Sequence, residues 1–174
     1  MTAPEGGPVR AVASENEKAE VIMTSELARA VAEMGLADFD SRKFADTIPE
    51  LEDILAFVTR DFCIHLTEIA EARIDYRGLA RPMRDHWLRL LRDGIDATYE
   101  RRVMRIGLAH RDRAIDPQTY VLGYGWFAAR FVEETMRRST LERTSLADLV
   151  GTLLRLIFLD LTRVVHAYGV ALLD

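Results

Sequence analysis

The chain has a single cysteine, no uncharged apolar run of membrane-spanning length and no surplus of basic charge, and each shortage excludes a class of protein. Cys63 alone cannot form an internal disulfide, and one cysteine suits a reducing compartment, so a cytoplasmic protein is expected. The most apolar stretch, Leu146 to Leu173, is interrupted by Asp148, Arg155, Asp160, Arg163 and His166, so no membrane partner is expected. Residues Met1 to Ser14 lack the basic segment and apolar core of a secretion signal. A formal charge of -5 argues against a nucleic-acid partner. Strict polar-apolar alternation is missing, which argues against a sheet. No glycine-rich phosphate loop, C-x-x-C pair or nucleophile elbow occurs. The carboxylate pairs Glu50/Glu52/Asp53 and Glu133/Glu134 read as solvated helix faces, with no Glu-x-x-His partner of the di-iron kind. Nothing here assembles a catalytic centre, and the chain is read as not an enzyme.

What is present is helix. A chain of 174 residues, 49% hydrophobic and 29% charged, is enough for one globular domain. Pro4, Gly6, Gly7 and Pro8 make residues 1–14 a flexible arm before a domain over 15–174. Ser14 and Glu17 form a capping-box pattern, and Val21, Ile22, Leu27, Val31 and Met34 carry a first helix to Gly35. Asp40 or Ser41 caps a short second helix with Phe44. Pro49 opens a third, with Leu51, Ile54, Leu55, Val58, Phe62 and Ile69 on one face. After a joint at 75–78, Leu79, Met83, Trp87, Leu90 and Leu91 mark a helix starting near Pro82 and ending at Gly94. Helices from about Ile95 to Arg111, Pro117 to Arg138 and Ser145 to Leu173 complete six or seven.

The stretch Thr98 to His110 carries the chemistry. Tyr99, Val103, Ile106 and His110 share one face of a helix, so an apolar stripe ends in an imidazole. Gly107, one turn before, reads as clearance for a flat group. A neutral imidazole in such a place suits an axial ligand of haem iron, and equally an ordinary histidine packed at a helix end.

Arg102, Arg105 and Ile106 ahead of His110, then Pro117, Tyr120, Val121, Gly123 and Tyr124, follow the order of a known pattern. The chain resembles the globin-coupled sensor and protoglobin family, whose basic pair precedes the haem-ligating histidine with one residue less between its members. The resemblance implies a globin-like all-α fold, haem b, and His110 as the metal ligand. It implies a pocket from His110, Gly107, Ile106, Val103, Tyr120, Phe62, Cys63 and Met83. In the same register Cys63 stands where most of the family has a tyrosine that donates a hydrogen bond to bound oxygen. A thiol is a weak donor, so oxygen binding is expected to lose more than carbon monoxide binding. The stretch from Cys63 to Leu79 is shorter than the family's, and Phe57 remains a second candidate for the pocket wall.

The implied function is a sensor of a diatomic gas (oxygen, nitric oxide or carbon monoxide) or of redox state. The alternative is a haem-free globin-like dimerisation module of a signalling protein. The helices at 117–138 and 145–173 are apolar nearly all round, which fits a homodimer through these two helices or a deep place in a monomer core. The family forms its dimer with them, and its last helix leads into an output module. Here the last helix meets no glycine cap or proline, which fits either the sensor piece of a longer protein or a natural single-domain version. Of the other histidines, His65 is read as a half-buried helix residue or a second axial ligand, His86 as a surface residue or distal ligand, and His166 as neither.

Overall fold

The computed structural model describes residues 25–69 and 78–170, and of Val170 only the backbone. The expected arm, the Ser14 helix start, most of the joint at 75–78 and the end of the last helix lie outside the described residues. Among the described residues every regular element is helical. Helix α1 runs over residues 25–33. It closes where Gly35 turns to φ +64°, a conformation glycine adopts without Cβ strain. The Leu36 amide then reaches back to the Val31 carbonyl at 2.9 Å, and Leu36 buries itself in the core.

Asp40 accepts from the Arg42 amide at 3.0 Å and starts a short 3-10 helix, Ser41–Phe44. Helix α2, Ile48–Ile69, buries Leu51, Ile54, Leu55, Val58, Phe62 and Cys63. Helix α3 spans Ala80–Asp93, opening upstream of the expected Pro82 start, and Gly94 ends it with φ +85°. Helix α4 is Ala97–Asp112, later than the expected Ile95 start, because the Asp96 carboxylate caps it by accepting from the Tyr99 amide at 2.6 Å. Helix α5, Pro117–Arg138, begins at the expected place: Asp116 caps the Thr119 amide at 3.0 Å, and Pro117 occupies the first turn, where no donor is needed. Helix α6 is Arg143–Val170.

The packing follows from the stripes. α2 lies against α3 and α5, α5 against α6, and α6 against α4. α3 and α4 are not a closely packed pair; they lean on α2 and α6 respectively, and a cleft opens between them. Trp87, Phe127 and Phe131 pack at centroid separations of 5.8 and 5.9 Å in the centre. Among the described residues no helix is long and apolar enough to cross a membrane.

Candidate functional site

His110 lies in the last turn of α4, half-buried, with Nδ1 2.8 Å from the Ile106 carbonyl oxygen. A carbonyl only accepts, so Nδ1 is the protonated nitrogen, and in the neutral ring Nε2 keeps its lone pair. Burial pushes the His110 pKa down, the nearby Arg113 charge adds to that, and the Ile106 bond opposes both. The ring therefore favours its neutral form, the form that can ligate a metal. A histidine whose far nitrogen is held by a backbone carbonyl has its tautomer and orientation fixed for that task.

Tyr120 of α5 meets this ring edge-on at 4.8 Å. From Tyr120 the aromatic contacts continue to Tyr124 at 5.6 Å and to Tyr168 of α6 at 6.2 Å. Tyr124 leads to Phe127, and Phe127 to Phe62 of α2, each at 5.9 Å. A ring wall thus connects two of the expected pocket residues, His110 and Phe62, through α5. Gly123 sits in that wall; a Cβ there would lie 3.7 Å from the Phe62 ring. Cys63 is buried beside Phe62, and burial raises its thiol pKa. Met83 is half-buried against the same core, and Val103 is fully buried.

Gly107 departs from expectation. A Cβ on it would come within 2.5 Å of both the Ala167 Cβ and the Val164 carbonyl oxygen, so the clearance admits the backbone of α6 rather than a flat ligand. His65 stacks on Trp126 at 4.3 Å with planes 7° apart. Glu134, read as solvated, is buried and gathers Arg130, Arg137 and Arg138 at 2.8 to 3.2 Å.

The largest surprise is on α6. Asp160 is buried, and its carboxylate accepts from Tyr124 Oη at 2.6 Å and Tyr99 Oη at 3.1 Å, with His86 Nε2 at 2.8 Å. Helices α3, α4 and α5 each send one group to a single oxygen pair on α6. Burial together with the Asp160 charge drives both phenols well above their ordinary pKa, so they remain donors. One turn on, Arg163 pairs with Glu100 at 2.5 Å. His86, read as a surface residue, is thus drawn inward. The signal available in the sequence was the lone Asp160 among Leu156, Ile157, Leu159 and Val164; a buried charge demands partners.

Six α-helices and a short 3-10 helix among the described residues, around an aromatic core and with a tautomer-fixed histidine closing the helix before α5, define a globin-like domain. The family described as Protoglobin matches residues 25–173, and the chain belongs to that family. No curated protein and no solved structure gives a match. Haem is the group this family binds, and the donor set at His110 fits it: one ring nitrogen committed to a carbonyl, the other with a free lone pair.

Proposed function

We propose that the chain is a haem-binding sensor domain that binds oxygen, nitric oxide or carbon monoxide, or registers redox state, and signals through a homodimer of α5 and α6. The observation that carries this reading is the division of labour in the His110 ring between the Ile106 carbonyl and an uncommitted Nε2. When bound, haem b supplies an iron centre for reversible gas or redox chemistry, tuned by its axial ligand and by the polarity around it. His110 is the residue that would hold it, Ile106 orients the imidazole, and Tyr120 bounds the ring's rotation. Cys63, in the distal position of the family register, offers only a weak donor, and its raised pKa keeps the proton on sulfur. Loss of a strong hydrogen bond of about 1 kcal/mol there weakens oxygen binding several-fold and leaves carbon monoxide less affected.

The dimer reading rests on one face. On α6, Gly151, Leu154, Phe158, Leu161 and Val165 recur at alternating spacings of three and four, the pattern of a helix-helix seam. Phe158 is 52% exposed and Leu122 on α5 is 68% exposed, both costly for large apolar groups with no cover. Gly125 and Gly151 have nothing near their Cβ positions, which leaves room for a second copy to approach.

A haem-free dimerisation module is the second reading, favoured by the seating of α6 against Gly107. Haem reconstitution separates the two. A Soret band in the wild type that is lost in His110→Ala supports the sensor; a folded dimer that stays colourless with excess haem leaves the module.

A further inference from the structure

The two oxygens of the buried Asp160 carboxylate have different duties. Tyr99 Oη at 3.1 Å and His86 Nε2 at 2.8 Å both go to Oδ1, while Tyr124 Oη donates to Oδ2 at 2.6 Å. Among the described residues Oδ2 therefore faces one partner, a buried phenol held at short range.

A carboxylate kept out of water carries a cost that hydrogen bonds reduce without abolishing. Passing the Tyr124 proton to Oδ2 by itself would only move the charge, leaving a phenolate. Burial, with the Asp160 charge, holds this phenol well above its ordinary pKa and opposes that exchange. Removing an electron from Tyr124 in the same step changes the balance. The Oη–H bond breaks, the proton passes to Asp160 Oδ2, and the electron leaves for an oxidant. Both products, a phenoxyl radical and a carboxylic acid, are neutral, so a buried negative charge is lost. The new acid O–H can then donate back to the radical oxygen across the same bond.

Ring contacts give the electron a way out. Tyr124, Phe127, Phe62 and Trp126 follow one another at centroid separations of 5.9 Å. Trp126 is half-buried, stacked on His65, and so within reach of solvent. An indole radical is a stronger oxidant than a phenoxyl radical, and a hole that arrives at Trp126 runs inward to Tyr124. Tyr168 Oη, by contrast, is buried with no hydrogen-bond partner, so that phenol has no base to take its proton.

We propose that Tyr124 is a redox-active tyrosine, oxidised through Trp126 by one-electron oxidants such as peroxyl radicals, with Asp160 as its proton acceptor. The peroxyl radical takes the electron, and a proton from water, and becomes a hydroperoxide. A reductant later returns the electron to Tyr124, and Oδ2 gives the proton back. The step uses no haem and stands apart from the role of His110.

Flash photolysis of ruthenium tris-bipyridyl with persulfate, applied to the haem-free full chain and followed by freezing and electron paramagnetic resonance, tests this. The expected result is a persistent neutral tyrosyl radical that survives Tyr99→Phe and Tyr168→Phe and is lost in Tyr124→Phe. Trp126→Phe should lower its yield. Asp160→Asn should shorten its lifetime at least about tenfold, the loss of a positioned base. Circular dichroism shows which variants fold. Should Asp160→Asn melt early, the wild type in deuterium oxide supplies a second measurement: electron-nuclear double resonance is expected to show an exchangeable proton coupled to the radical oxygen. Transient tryptophan signals alone, a tyrosyl radical that persists in Tyr124→Phe, an unchanged yield in Trp126→Phe, an unchanged lifetime in folded Asp160→Asn, or no exchangeable coupling overturns the proposal.

Discussion

His110 shows how one hydrogen bond sets a residue's chemistry. Its depressed pKa also has a consequence for stability. A folded-state histidine pKa below the unfolded value of about 6.5 means that, as pH falls through 6.5, the unfolded chain takes up a proton before the folded one does. Stability is therefore full above that pH and declines as pH drops toward the depressed folded value. Urea titrations of haem-free protein between pH 7.5 and 5 should show this decline, and His110→Gln should flatten it. Asp160 is the opposite case, a buried acceptor on which three donors depend. Asp160→Ala strands two phenols and an imidazole and should cost about 3 kcal/mol or more in urea unfolding; Asp160→Asn keeps an acceptor and should cost less.

Helix α4 owes its place to both ends and one face. Gly94 at φ +85° and the Asp96 cap fix where it begins, and Asp96→Ala should lower stability by about 1 kcal/mol through the lost Tyr99 amide acceptor. Along its length the helix is held to α6 at Gly107. Gly107→Ala puts a methyl against a backbone carbonyl that cannot yield cheaply, and thermal unfolding should report a destabilisation of about 1–3 kcal/mol. In an isolated helix the same substitution would be favourable, since alanine is the better helix former. The sign of the change therefore tests whether α6 is seated there.

Among the described residues Leu122 of α5 and Phe158 of α6 stay exposed, while the interior is closed by rings. Light scattering after size exclusion should give twice the 19.8 kDa chain mass, and Phe158→Glu should return it to one chain with the helical circular dichroism intact. A deep monomer-core role for the same two helices predicts instead that Phe158→Glu unfolds the protein; its 52% exposure speaks against that. The face and the Asp160 network lie on opposite sides of α6, so a shift of this one helix reaches both.

Helix count and most boundaries were legible in the residues, because apolar spacing, Asp116 with Pro117 and the glycines at 35 and 94 act within a turn or two of chain. The contact between the His110 and Tyr120 rings is of the same local kind, since the two lie ten residues apart across one joint. Whether Gly107 faced a ligand or a helix, whether His86 pointed outward, and what partners Asp160 would find depended on segments 36 to 74 residues away in sequence. Local periodicity tells which face of a helix is apolar and leaves open what covers it. Only the docking of α6 against α4 decided that, because close packing allows one occupant for each space, and here the occupant of the Gly107 gap came from the far end of the chain.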